Sequence, residues 1–301
     1  MKIAIGPCLF EWGKKGIRQF YQQMAYETEA DILYIGEVVC SKRNQLSPEE
    51  LASLAEALQP SGKQIVFSTL GLLMNEGEQS TLRQIADEAQ RLGVWLEVND
   101  MGGMGVAEGQ PMVAGPHINT YNAETVAFLA RVGVKRVVLP VELPHAAMRC
   151  IMAGDHAPEM EVFAYGRLPL TFSARCYTAR AFHLAKSNCQ YKCGDFPDGM
   201  EVRTQEDASF LTVNGTQTMS ALLYNLLPDL PLLQRMGVNV LRLSPQSKAM
   251  PEIVSIWKQT MDGRMATQEA LQRLRELNTD EAFCNGYFHG RPGLQWIESA
   301  D

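Results

Sequence analysis

"DILYIGEVVCSKR", residues 31–43, holds both the fold and the chemistry of this chain in thirteen residues. Its first half, 31–36, is a short apolar run bounded by an aspartate and a glycine. A run without polar alternation is a strand covered on both faces, the habit of a parallel sheet. Its second half carries Cys40 four residues past the end of that strand. Similar runs recur at "KIAIG" (2–6), "QIVFST" (64–69), "VWLEVND" (94–100), "MVAGPHI" (112–118), "RVVLPVE" (136–142), "EVFAYG" (161–166) and "VNVLRLS" (238–244).

Helical patterns lie between several of these runs. Ile17, Phe20, Tyr21 and Met24 follow the i, i+3, i+4, i+7 stripe of a helix lying on a sheet, and Leu51, Leu54, Ala55 and Leu58 repeat it. Leu82, Ile85, Ala86 and Ala89 give a third stripe. The second stripe has a start signal, with Ser47 as N-cap, Pro48 in the first turn and Glu50 three residues after the cap. Eight strand signals interleaved with helices predict a (β/α)8 TIM-type barrel, one domain over 1–301. A long insertion, 167–237, separates the seventh run from the eighth and contains "SFLTVNG" (209–215), an expected extra strand. The polar tract 262–281 reads as a surface helix or loop that packs through Leu271, Leu274 and Leu277.

Composition narrows the function classes. The chain has 301 residues, 46% of them hydrophobic, and a formal charge of -7, with a pI of about 5.4. No block of Lys and Arg marks a nucleic-acid surface, and no apolar run approaches the roughly 18 residues of a membrane span. "MKIAIGPCLFEW" at the N-terminus lacks the apolar core and small-residue cleavage site of a signal peptide. A cytoplasmic protein with reduced thiols is the expectation. The seven cysteines then ask for another explanation than disulfides.

Three of them crowd into "SARCYTARAFHLAKSNCQYKC" (173–193), as Cys176, Cys189 and Cys193. That segment lies in the insertion, and insertions after a barrel strand emerge at the C-terminal rim, where active sites collect. Cys40 reaches the same rim from the second strand and is the candidate fourth ligand. Four thiolates converging there suit zinc or a [4Fe-4S] cluster. Structural zinc commonly uses two short Cys pairs, and only Cys189 and Cys193 form one here. One distant cysteine with three from a loop suits the larger span of a cube. Spacing alone leaves iron–sulfur, zinc and buried unligated thiols all open.

Longer stretches carry a resemblance. "YIGEVVCSKR" (34–43), "GKQIVFSTL" (62–70), "HINTYNA" (117–123), "LPVEL" (139–143), "YGRLPLTFSARCYTAR" (165–180), "CQYKC" (189–193), "NGTQTMSALLYNL" (214–226), "LRLSPQ" (241–246) and "CNGY" (284–287) together resemble the non-peptidase, iron–sulfur members of the collagenase-like peptidase family. The resemblance runs from end to end. It implies a [4Fe-4S] cluster on Cys40, Cys176, Cys189 and Cys193, and a heterodimer with a UbiU-like paralogue. It also implies oxygen-independent hydroxylation of a ubiquinone precursor, with prephenate or another small molecule as hydroxyl donor. Two readings compete with this one: a zinc-stabilised scaffold, and a peptidase, which only the family's name suggests. Neither H-E-x-x-H nor G-x-S-x-G occurs to support the latter.

The remaining candidates each have a functional and a structural reading. Arg175, Arg180, Lys42 and Arg43 flank the ligand cysteines and could offset the charge of a thiolate-bound cluster, or be solvated. Glu37, His117 and Glu142 follow strands two, five and six, where barrels place polar groups for substrate or proton transfer. Structural hydrogen bonding explains them equally well. Arg242 could hold a carboxylate ligand or close a core ion pair. Cys8 and Cys150 read as core residues, and Cys284 as structural. "NDMGGMGVAEG" (99–109) has Glu108 where a dinucleotide fingerprint needs its third glycine, so it reads as a βα turn.

Overall fold

The computed structural model describes residues 1–43, 46–154, 158–279 and 281–298. Seven strands come first: β1 (Lys2–Ile5), β2 (Ile32–Gly36), β3 (Gln64–Ser68), β4 (Trp95–Val98), β5 (Met112–Ala114), β6 (Val134–Val138) and β7 (Glu159–Gly166). Between them run α1 (Gly13–Glu27), α2 (Pro48–Leu58), α3 (Glu76–Leu92), α4 (Gly102–Val106), α5 (Ala123–Arg131) and α6 (His145–Met152). After β7 the chain leaves the barrel through β8 (Pro169–Phe172), α7 (Tyr177–Ala181), β9 (Met200–Arg203), β10 (Ser209–Asn214) and β11 (Gln217–Ser220). It returns through β12 (Leu223–Asn225) and α8 (Leu230–Met236) to β13 (Val240–Leu243). β13 pairs in parallel with both β7 and β1, so eight parallel strands close into the expected barrel. Helices α9 (Met250–Met261) and α10 (Thr267–Leu277) and the short β14 (Phe283–Cys284) complete the order. No helix among the described residues is long and apolar enough to cross a membrane.

Local chemistry explains the elements. Ser47 accepts a hydrogen bond from the Glu50 N–H while the Glu50 carboxylate takes the Ser47 N–H, a complete capping box at the start of α2. Asn75 and Asn122 cap α3 and α5 in the same way through their side chains. The fifth run is shorter than expected. Its strand ends at Ala114, because Pro116 cannot extend a ladder and opens a 3-10 turn, Pro116–Ile118, instead. The glycine-rich stretch after β4 forms the short helix α4, in agreement with a βα connection rather than a nucleotide loop.

Strand alternation divides the interior in two. Ala4, Ile32, Tyr34, Val66, Val113, Val138 and Val240 pack together inside the barrel, while a much larger apolar layer lies between the barrel and its helices. The positions in phase with the lumen also include Glu97, Arg136, Glu161 and Arg242, all nearly inaccessible to solvent. Arg242 pairs with Glu161 at 2.5 Å and with Glu97 at 2.7 Å, and Arg136 lies 3.8 Å from Glu161. Tyr34 donates to Glu161 at 2.5 Å and its ring lies under the Arg242 guanidinium. Arg242 thus closes a core ion pair, the structural of its two readings.

The insertion holds more than one extra strand. β8, β11, β10 and β9, in that order, form a separate antiparallel sheet beside the barrel's C-terminal rim. Two other expectations are corrected. Cys150 is exposed, because α6 buries Met148 and Ile151 and turns position 150 outward. Leu277 is exposed at the end of α10, where Ala270 and Leu274 carry the packing.

Candidate functional site: a four-cysteine recess at the barrel rim

Cys40, Cys176, Cys189 and Cys193 line one recess, together with Lys42, Arg43, Lys186 and Lys192. Three local devices deliver the four thiols. Cys40 follows β2 in a turn closed by the Arg43 N–H on the Cys40 carbonyl at 2.9 Å. Glu37 holds this turn by accepting the Val39 N–H at 2.8 Å and the Cys40 N–H at 3.1 Å, so its role there is structural. Cys176 is the N-cap of α7 and its Sγ accepts the Ala179 N–H at 3.3 Å. Cys189 and Cys193 are brought together by a sharp reversal in which Gln190 (φ 51°) and Tyr191 (φ 52°) both take the left-handed conformation. Two consecutive non-glycine residues there carry backbone strain, a cost that tends to gather where geometry serves a site.

Asn214, at the end of β10, is the buried clasp of the recess. Its side-chain N–H donates at 3.0 Å to the carbonyls of both Cys193 and Phe196, and its oxygen accepts from Arg43 at 2.9 Å. The glycine after it, at φ 71°, lets the Arg43 guanidinium lie close against the turn, where a Cβ would stand 3.2 Å from Nη1. Lys42 reaches across to the carbonyls of Lys186 and Ser187, joining the β2 loop to the insertion.

Cys193 is buried, and Cys40, Cys176 and Cys189 are half-buried. Burial pushes the Cys193 thiol up to about 12, Arg43 pulling it back and Glu11, Cys176 and Cys189 adding to the rise. Burial also lifts Cys40, against the opposing pull of the Lys42 N–H, Arg43 and Lys186. Such thiols stay protonated at neutral pH until a metal displaces the proton. Arg43 supplies a further sign of an anionic occupant. Its side chain is 2% exposed, yet Nε and Nη2 have no hydrogen-bond partner, Nε lying 3.8 Å from Glu37. A buried guanidinium with unused donors next to four sulfurs fits a thiolate-bound group in charge and in hydrogen bonding.

Among the described residues, no group of three or more His, Cys, Asp and Glu side chains is placed to hold a metal ion. A tetrahedral zinc would draw its sulfurs to within about 4 Å of one another, whereas a cube binds each thiolate through a different iron.

The fold decides where the other candidates fall. Arg175 and Arg180 are exposed and do not line the recess; Lys42, Arg43, Lys186 and Lys192 do. Glu142 is an exposed residue that accepts from the Tyr121 hydroxyl. Cys8 is buried and donates to the Phe10 carbonyl, and Cys284 is buried in β14, neither lining the recess. His117 lies at the mouth of the barrel with Glu97, Asn99, Arg242 and Ser244. Two members of that buried polar group, Asn99 and Ser244, have an oxygen without a hydrogen-bond partner. Sequence reasoning passed over Glu97 and Ser244, although a glutamate inside an apolar strand run was a visible signal.

The sequence pattern of peptidase family U32 matches residues 20–298. The chain belongs to peptidase family U32. A collagenase of Porphyromonas gingivalis (strain ATCC BAA-308 / W83) is 22% identical over 294 residues, 91% of this chain and 66% of that protein. The chain therefore spans just under two thirds of that relative's length. Among solved structures, a proposed dihydrodipicolinate synthetase from Pseudomonas aeruginosa covers 93% of this chain and 82% of its own, at 9% identity and a TM-score of 0.51. A solved U32 peptidase covers 82% of this chain and 94% of its own, at 12% identity and a TM-score of 0.46. At such identities the likeness to the synthetase speaks to the barrel fold alone.

Proposed function

We propose that this U32 member is a [4Fe-4S] protein of the UbiV type, which works as a heterodimer with a UbiU-like paralogue in the oxygen-independent hydroxylation of a ubiquinone precursor. The observation that carries the reading is the convergence of Cys40, Cys176, Cys189 and Cys193 on one recess from two distant parts of the chain. The cationic lining supports it, as does the pattern of motifs from 34–43 to 284–287 that resembles UbiV. Prephenate or a similar small molecule is the hydroxyl donor in this reading.

A cube bound there would supply one-electron transfer or a rigid staple between the insertion and the barrel. The chain's own residues do the rest. Asn214 orients the 189–193 reversal, the Ala179 N–H donates to the Cys176 sulfur, and the lysines and Arg43 offset negative charge. With four cysteine ligands every iron is protein-bound, which favours electron transfer or support over direct substrate activation.

The test is anaerobic purification followed by iron and sulfide analysis. About four of each per chain is expected, with loss of most iron in Cys40→Ala, Cys176→Ala, Cys189→Ala and Cys193→Ala and retention in Cys8→Ala, Cys150→Ala and Cys284→Ala. Colourless protein with stoichiometric zinc would replace the cluster by a scaffold. In cells, deletion should lower ubiquinone only without oxygen; equal loss in air would overturn the anaerobic role while leaving the cluster in place.

A further inference from the structure

The outer wall of the cysteine recess differs in charge and composition from the rest of the chain. Residues 173–193 carry Arg175, Arg180, Lys186 and Lys192 and no Asp or Glu, in a chain whose formal charge is -7. Three of the seven exposed Phe and Tyr side chains among the described residues also fall here, Tyr177, Phe182 and Tyr191. Local geometry turns them outward. In α7, Thr178 and Ala179 are buried, so Tyr177 and Arg180, three positions apart, share the solvent face. Lys192 lies over the Phe182 ring at 5.6 Å and is itself a lining residue, which sets that ring at the edge of the recess. Tyr191 lines the recess and still reaches solvent.

The cations here divide into two groups. Lys42 and Lys186 commit their ammonium groups to backbone carbonyls, and Lys192 pairs with Asp195 at 3.0 Å. Arg175 and Arg180 are exposed, and neither has a carboxylate partner among the described residues. Exposed aromatics set among arginines, with acidic residues missing, have the composition of a protein contact surface. Its charge calls for an acidic partner. Nucleic acid fits poorly, since a dedicated binder makes about 6–10 phosphate contacts and only two cations are uncommitted. A permanent subunit interface is commonly larger than about 2,000 Å² and more apolar. A few isolated aromatics between free arginines suit the small, brief encounters of electron-transfer proteins instead.

We propose that this wall, built on Tyr177, Arg180, Phe182, Tyr191 and Arg175, docks a small, acidic one-electron carrier protein over the four thiols. The choice of a carrier rests on the cluster reading above, because a one-electron group in the recess is what such a protein would approach. The preference for an acidic protein stands on the wall itself. Tyr191 is the shared element, exposed to the partner on one side and lining the thiol recess on the other.

The test uses the full chain purified without air, together with its paralogue where the two copurify, with iron measured on the same sample. It is titrated with two acidic carriers, a plant-type [2Fe-2S] ferredoxin and a flavodoxin, and with basic cytochrome c as control. At least one acidic carrier should bind at about 20 mM salt and weaken tenfold or more at about 200 mM, and cytochrome c should not bind. Arg175→Glu combined with Arg180→Glu should weaken the carrier at least tenfold at unchanged melting temperature and iron content, and the Gln pair should fall between. Lys135→Glu, an exposed charge reversal in β6 near the opposite end of the barrel, should change nothing. Failure of both acidic carriers to bind, or binding indifferent to the double reversal, overturns the proposal. So does tighter binding of a short single-stranded RNA through the same arginines, or loss of the paralogue from the complex on reversal. Iron-free protein that still binds a carrier through Arg175 and Arg180 would sink the cluster reading and keep the docking wall. Iron-loaded protein that binds neither carrier would do the reverse.

Discussion

His117 offers a quantitative test of how closed the barrel mouth is. Burial lowers its pKa from 6.5 to about 4; Glu97 opposes the shift, and Arg242 reinforces it. Its ring packs edge-on against Phe172 of the insertion at 4.4 Å between centroids. The folded protein thus holds this imidazole neutral, while the unfolded chain takes up a proton below pH 6.5. The unfolded state binds more protons across that interval, so the stability from the neutral ring is complete above pH 6.5 and lost as pH falls toward 4. The full shift corresponds to roughly 3 kcal/mol at 1.36 kcal/mol per pH unit, of which about 2 kcal/mol falls between pH 7 and pH 5. The residue as a whole keeps some solvent contact, which makes this the ceiling of the effect. The perturbation is His117→Gln, which keeps a polar side chain and removes the titration. Urea unfolding of both proteins at pH 7, 6 and 5, under anaerobic conditions, separates this residue from every group common to the two. Wild-type stability should fall by up to about 2 kcal/mol more than that of the variant. Parallel curves would mean that His117 is solvated, and that β8 and its neighbours do not cover the mouth.

Three further outcomes follow from the fold. Ser47→Ala should cost about 1 kcal/mol in denaturant unfolding, because the Glu50 N–H at the start of α2 loses its acceptor while the backbone N–H of residue 47 still donates to the Glu50 carboxylate. Gly36→Ala should prevent recovery of folded protein: at φ 132° its Cβ would stand 2.3 Å from the Ser68 carbonyl oxygen on the paired strand, and soluble yield with circular dichroism reads this directly. Arg242→Leu should destabilise by roughly 3–5 kcal/mol in urea titration, since Glu97 and Glu161 would be left buried without their cation. A loss below about 1 kcal/mol would show that the lumen admits water.

The chain's order of apolar runs and helical stripes was enough to determine the barrel, since each strand and helix is specified by neighbours a few residues away. Ser47 and Glu50 lie three positions apart, and the eight runs need only their own β-branched and aromatic content to be strands. The cysteine spacing likewise marked the segment 176–193, and its distance from a strand end brought Cys40 to the same rim. What sequence could not decide was which side chains meet across the fold. Of the sheet β8–β11 only β10 was legible, as SFLTVNG, because the other three strands are four residues long each and too short to show a pattern. Adjacency to a cysteine marked Arg175, Arg180, Lys42 and Arg43 alike, yet only Lys42 and Arg43 line the recess, Arg43 being held there by Asn214, 171 residues away in sequence. Arg242 acquires its carboxylates from β4 and β7 only when the barrel closes, because pairing a buried charge is a property of the assembled lumen. Local propensity writes the elements, whereas the desolvation that lifts Cys193, neutralises His117 and leaves Arg43 with unused donors exists only after distant segments have excluded water together.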